Sequence, residues 1–170
     1  TLAKGFSRRA RNILEERGKE LFGVSVADDS SAADEWGIQG HRGGMIAAGV
    51  GGPITGKGAN VLIIDDVLKN AQEANSKIVR DSIWEWWRST AYTRLEPGGA
   101  VIIVLTRWHE DDLAGRLFRD AENDPDAEQW EVLSLPAIDE AGMPLWPVRY
   151  PLERLKQIQR TLGPYWWSAL

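Results

Sequence analysis

Two neighbouring acids at the end of an apolar run are the residues of this sequence best suited to do chemistry. Asp65 and Asp66 close the run Val61-Leu-Ile-Ile64, and a hydroxyl, Thr106, closes a second run, Ala100-Val-Ile-Ile-Val-Leu105. Such a carboxylate pair is what a nucleotide hydrolase needs: one holds Mg²⁺, usually through water, and the next orients or deprotonates the attacking water. A hydroxyl at the end of the neighbouring strand can sense a γ-phosphate. The same acids can instead start a turn or cap a helix, and Thr106 can make an ordinary strand-end hydrogen bond, so the residues alone leave both readings open. His109 and Glu110 stand nearby. With two histidines in the chain and no second histidine or cysteine at i+3 or i+4, they form no zinc pattern.

One motif is deceptive. Gly51-Gly-Pro-Ile-Thr-Gly-Lys-Gly58 matches G-x-x-x-x-G-K, but Gly58 stands where a Ser or Thr should bind Mg²⁺. A true phosphate loop follows a strand and opens a helix, so that its amides face the phosphates. This one opens a strand.

These side chains need a scaffold, and the apolar pattern supplies one. Val61–Ile64, with three β-branched residues of four, predicts a strand covered on both faces, as in a parallel sheet. A second strand is expected over 100–106 after the turn Pro97-Gly98-Gly99. Between them Asn70 can cap a helix with Glu73 reaching back, and Val79, Ile83, Trp86, Trp87 and Thr90 come next at helical spacing. Strand, helix, strand predicts a right-handed crossover joining parallel strands, with sites at their carboxyl ends. The fold class is therefore α/β, with a mostly parallel sheet flanked by helices.

Around this centre, Leu2, Phe6, Ala10, Ile13 and Leu14 predict a helix over 2–17 that stops at Gly18. Weak alternation over 21–26 and 34–50 predicts a short strand pair. A helix is expected over 110–121, a third core strand over Trp130–Leu135, an irregular segment over the four prolines 136, 144, 147 and 151, and a short helix over 152–160. The apolar end at Pro164–Leu170 looks like a chain cut before its packing partner.

Composition narrows the classes. The 170 residues are 43% apolar, with no run near the roughly eighteen that a membrane helix needs. No cysteine is present, which removes disulfides and thiolate metal sites and fits a reducing compartment such as the cytoplasm. A net charge of −5 argues against a generally basic nucleic-acid binder. The charge is uneven: residues 1–20 carry six basic side chains against three acids, whereas 110–140 carry eleven acids against Arg116 and Arg119. Nine tryptophans are core and interface filler on this reading, because a stacking role on nucleic acid would need exposed rings beside cations.

Taken together, Ile54-Thr-Gly-Lys-Gly-Ala-Asn-Val-Leu-Ile-Ile-Asp-Asp66, Asn70 to Arg80, Arg94-Leu-Glu-Pro-Gly-Gly99 and Thr106-Arg-Trp-His-Glu-Asp-Asp-Leu-Ala-Gly-Arg-Leu117 resemble the large terminase subunits of tailed bacteriophages and prophages. Weaker similarity continues at Pro136, Leu145-Trp-Pro147 and Tyr150-Pro-Leu-Glu-Arg154. The resemblance implies a P-loop NTPase of the additional-strand kind, a ring-forming motor that uses ATP and Mg²⁺ to thread double-stranded DNA into a procapsid in the host cytoplasm. Its partners would be the small terminase subunit and the portal. It implies Asp65 as the Walker B magnesium carboxylate, Asp66 as the catalytic carboxylate, Thr106 as the coupling residue, and Lys57 at the place of an arginine that reaches a neighbouring subunit. Two departures stand out. Asp66 is shorter than the usual Glu, and Lys57 offers a point charge without the planar fork of Arg.

The resemblance also implies that residues 1–135 are the ATPase core after its phosphate loop, and 136–170 a proline-rich linker toward a nuclease domain. The Walker A segment would precede Thr1, and the chain alone would be inactive. Two rival readings remain at this point: a metal-dependent nuclease using Asp65, Asp66 and His109, and a noncatalytic assembly module.

Overall fold

The computed structural model describes residues 2–169. The chain is mixed α/β, in the order α1 (Leu2–Phe22), β1 (Val26–Ser31), β2 (Glu35–Ile38), β3 (Gly44–Ile46), β4 (Ala59–Asp65), α2 (Ala71–Asn75), α3 (Lys77–Trp86), β5 (Leu95–Val104), α4 (Leu113–Asn123) and α5 (Leu152–Ala169). It forms two compact units, residues 1–67 with 82–104, and 68–81 with 105–170. Among the described residues no helix is long and apolar enough to cross a membrane. Leu170, the last residue of the apolar end read from the sequence, lies outside the described residues.

In the first unit, β1, β2 and β3 form an antiparallel meander in place of the expected strand pair. Helix α1 is longer than its apolar pattern suggests. Gly18 does not stop it: a Cβ there would meet the Val24 carbonyl at 2.7 Å, so this glycine permits close approach, and Gly23, with φ of +72°, ends the helix. The face also differs from expectation. Leu2, Phe6 and Ile13 are exposed, while buried Ser7 accepts a 3.0 Å hydrogen bond from the Trp36 indole nitrogen. A polar residue satisfied by a buried tryptophan can outrank an aliphatic one on the packing face, because the indole N–H must find an acceptor.

Strands β4 and β5 pair in parallel, with Ile63 opposite Ile102 and Asp65 opposite Val104. Parallel pairing needs a long connection, and α2, α3 and the π and 3₁₀ turns over 87–94 provide it. The predicted cap is present: Asn70 Oδ1 accepts from Glu73 N at 3.0 Å, and the Glu73 carboxylate accepts from the amide of Lys69 at 3.1 Å, one residue earlier than expected. The pair is covered on one face only. Ile64 is buried, whereas Val61, Ile63, Ile102 and Val104 share the opposite, exposed face. Strand β5 also begins at Leu95, so the Pro97-Gly98-Gly99 segment is strand, and it ends at Val104, two residues before Thr106.

In the second unit, Trp130–Leu135 is not a strand, and Val132, Leu133 and Leu135 are exposed. β-propensity describes fit to a pleated surface, and a strand also needs a free edge to pair with. This run joins no ladder. The proline-rich segment is irregular as expected. Helix α5 breaks at Gly163, where φ is +74°, so its regular part is close to the expected 152–160.

Candidate functional site at the strand ends

Asp65 is the last residue of β4 and is exposed. Asp66 extends the ladder by one bond, its amide donating to the Val104 carbonyl at 3.0 Å, and then turns the chain with a φ of +43°. This is the one non-glycine residue with positive φ among those described. Aspartate tolerates that region better than most residues, since its short polar side chain bonds locally. The left-handed turn ends the strand and presents both carboxylates at the carboxyl edge of the parallel pair. Two exposed oxygen-donor side chains there fit a cation such as Mg²⁺, which binds through one or two carboxylates and keeps most of its water. No cluster of three acidic or imidazole ligands occurs among the described residues.

Lys57 lies on the turn before β4 and is half-exposed, with its ammonium 2.6 Å from Glu35 of β2. Around it the G-x-x-x-x-G-K match is a run of turns. The amides of Gly52, Ile54 and Lys57 donate to the carbonyls of Gly49, Gly52 and Ile54. These N–H groups are spent within the segment, which opens a strand, as the sequence argued.

Thr106 comes two residues after the end of β5 and is half-buried; its carbonyl accepts from Trp108 N at 3.0 Å. Thr106 and His109 belong to the second unit, while Lys57, Asp65 and Asp66 belong to the first.

Beyond Thr106 the chain forms a self-locked loop that its sequence pattern does not reveal. The pattern predicts a helix over 110–121, but α4 starts at Leu113 with Asp112 as its cap. Asp112 is 1% exposed; one oxygen accepts from Gly115 N at 2.8 Å and the other from Arg107 Nε at 2.7 Å. His109 Nδ1 accepts from Asp111 N at 2.9 Å, which fixes its tautomer and gives it a structural task. A Cβ on Gly115 would lie 1.8 Å from the Glu110 carbonyl, so only glycine fits.

Asp111 is the hub of this loop. It accepts from Arg80 at 3.2 Å, from Arg116 at 2.7 Å and from Arg119, while Arg116 also donates to Asp81 at 2.8 Å. Hydrogen bonding from Arg116, opposed by desolvation and reinforced by Arg119 and Arg80, holds the Asp111 carboxyl far below the usual carboxylate range. The signal available in the sequence was the preference of Asp for helix caps, which moves the helix start past both acids.

A comparison with curated proteins gives no match. A family model described as terminase large subunit, T4likevirus-type, N-terminal, matches residues 7–160, a stretch that holds the parallel pair, its strand-end acids and the locked loop. The chain therefore belongs to the terminase large subunit family, which serves phage DNA packaging.

Proposed function

We propose that this chain is part of the ATPase motor of a DNA-packaging terminase, coupling hydrolysis of Mg-ATP to movement of double-stranded DNA into a procapsid. One observation carries the reading: two exposed, adjacent carboxylates leave the carboxyl edge of a parallel strand pair, where open α/β sheets build their sites. Bound Mg²⁺ would neutralise the charge of the β- and γ-phosphates. Asp65 would hold that ion, and Asp66 would orient the attacking water and take its proton. Thr106 would read the γ-phosphate, and Lys57 would approach a neighbouring subunit in an assembled ring. The small terminase subunit and the portal are the partners this role requires.

Among the described residues no G-x-x-x-x-G-K loop runs from a strand into a helix, so the reading requires a phosphate loop from outside them. The 170-residue chain should then show no ATP turnover above that of its Asp65→Ala variant. In a subunit that carries the loop, Asp66→Asn should lower turnover on the order of a hundredfold with little change in nucleotide affinity, and Asp65→Asn should weaken Mg-nucleotide binding as well. Steady-state kinetics with direct nucleotide binding decide it. Near-normal turnover for Asp66→Asn would place the catalytic carboxylate elsewhere. Cleavage of DNA that needs a divalent ion and Asp65 would favour a nuclease instead.

A further inference from the structure

Residues 143–160 invert the charge of the segment before them. They carry Arg149, Arg154, Lys156 and Arg160 against Glu153 alone, in a chain of net charge −5. Within them, Trp146 to Tyr150 form one closed turn. The Trp146 carbonyl accepts from Arg149 N at 3.1 Å and from Tyr150 N at 2.8 Å, and Pro147 fixes φ at the second position. A turn closed from i to i+4 sets residues i, i+3 and i+4 on one side, so Trp146, Arg149 and Tyr150 project together. The guanidinium carbon of Arg149 lies 5.3 Å from the Trp146 ring centroid and 5.7 Å from that of Tyr150, within cation–π range.

The rings are not hidden by this arrangement. Trp146 is 55% exposed and Tyr150 42%. The turn is held on both sides: Ile138 bridges to Pro144 and Leu145 N donates to Ala137 O before it, and Leu155 N donates to Pro151 O as α5 begins after it. Two exposed aromatic faces on a fixed turn lose little entropy when something stacks on them. Exposed rings beside a cation are what a nucleic-acid stacking role demands.

We propose that this turn stacks an unpaired nucleobase and that residues 143–160 bind single-stranded nucleic acid. The Trp146 and Tyr150 rings receive the bases, and Arg149, oriented by the same rings, meets a phosphate. Lys156 and Arg160, exposed and one helical turn apart on α5, track the backbone. A duplex has its bases stacked internally and offers this turn only phosphates. An apolar protein partner would use the exposed Leu145 and Val148 but gives no reason for four cations around one acid. The inference does not depend on nucleotide hydrolysis.

The test uses the 170-residue chain, fluorescence anisotropy and three labelled probes: an oligothymidylate, an abasic strand of equal length and charge, and a duplex. At low salt the thymidylate strand should bind about tenfold or more tighter than the abasic strand or the duplex, and quench tryptophan emission. Trp146→Ala should weaken thymidylate binding about tenfold and leave the abasic strand unaffected, whereas Arg149→Ala should weaken both. Trp146→Phe should keep most of the affinity, and Tyr150→Ala gives a second reading should Trp146→Ala fail to fold by circular dichroism. Equal affinity for strands with and without bases, preference for the duplex, or no binding at low salt would overturn the proposal. So would wild-type affinity in both Trp146→Ala and Tyr150→Ala.

Discussion

One adjacent aspartate pair straddles the end of β4 and another lies in the connection after β5, and the fold treats the pairs in opposite ways. Asp65 and Asp66 leave β4 exposed. Asp111 and Asp112, in the connection after β5, are bound up with Arg80, Arg107, Arg116 and Arg119. A carboxylate open to solvent can take up a metal ion or a proton more readily than one locked among several arginines. The second pair is claimed, one acid by three arginines and the other by a helix amide and a fourth arginine. The most distinctive stretch of the sequence, residues 106–117, is on this comparison mostly architecture around Thr106, and the plainer pair is the better candidate for chemistry.

The largest effect should come from breaking the claimed pair. Asp111→Ala takes a shared carboxylate from Arg80, 9% exposed at its side chain, and from Arg116, which retain the Ala74 carbonyl and Asp81, and should cost about 3 kcal/mol, or roughly 9 °C in Tm. Asp65→Ala should move Tm by less than about 1 °C. The difference also has a pH signature. The folded-state pKa of Asp111 is depressed from its ordinary 3.8, so its stabilisation is fully present above that value and is lost as pH falls below it. Thermal melts of wild type and Asp111→Ala should stay apart at neutral pH and converge well below 3.8. A constant gap across that window would assign the loss to packing rather than charge.

Gly115→Ala should come next, at about 2 kcal/mol, because the new Cβ would overlap the Glu110 carbonyl and the loop must shift to admit it. A neutral Gly115→Ala would mean that the loop is less fixed than its hydrogen bonds indicate.

At the exposed pair the effect is smaller and belongs to the backbone. With φ at +43°, Asp66→Ala should lose about 1 kcal/mol, while Asp66→Gly and Asp66→Asn stay within about 0.5 kcal/mol of wild type. Chemical denaturation of the three variants separates strain from charge. Asn, which keeps the turn and removes the charge, is for this reason the cleaner substitution in a kinetic test.

The features legible in the sequence were local. The Asn70 cap, the two apolar strands and the strand-opening place of Lys57 rest on chemistry within a few residues, and each is found in the structure. The features hidden from it needed a distant partner. Ser7 is buried because Trp36 requires an acceptor. Asp111 becomes a hub because Arg80 arrives from another helix. The run over 130–135 pairs with no strand, whatever its own pattern favours. Periodicity reports which residues can face a core, but it carries no record of which neighbour will be there.

Lys57 should show the smallest effect on stability and the most informative one on function. Its bond to Glu35 joins two side chains that are each about half exposed, so water and salt screen it, and such pairs are worth between about 0 and 1 kcal/mol. Lys57→Ala and Glu35→Ala should each change Tm by no more than about 1 °C, and the two losses should not add, since either one ends the same interaction. If Lys57 instead serves a neighbouring subunit, the two variants must part ways in hydrolysis, measured in a subunit that carries the phosphate loop. Removing Glu35 releases the ammonium and should preserve or raise turnover, whereas removing Lys57 should lower it, and only at protein concentrations where subunits assemble. Lys57→Arg would then test whether a planar fork improves on a point charge. Equal turnover for the Lys57 and Glu35 variants at every concentration would reduce Lys57 to half of a surface ion pair.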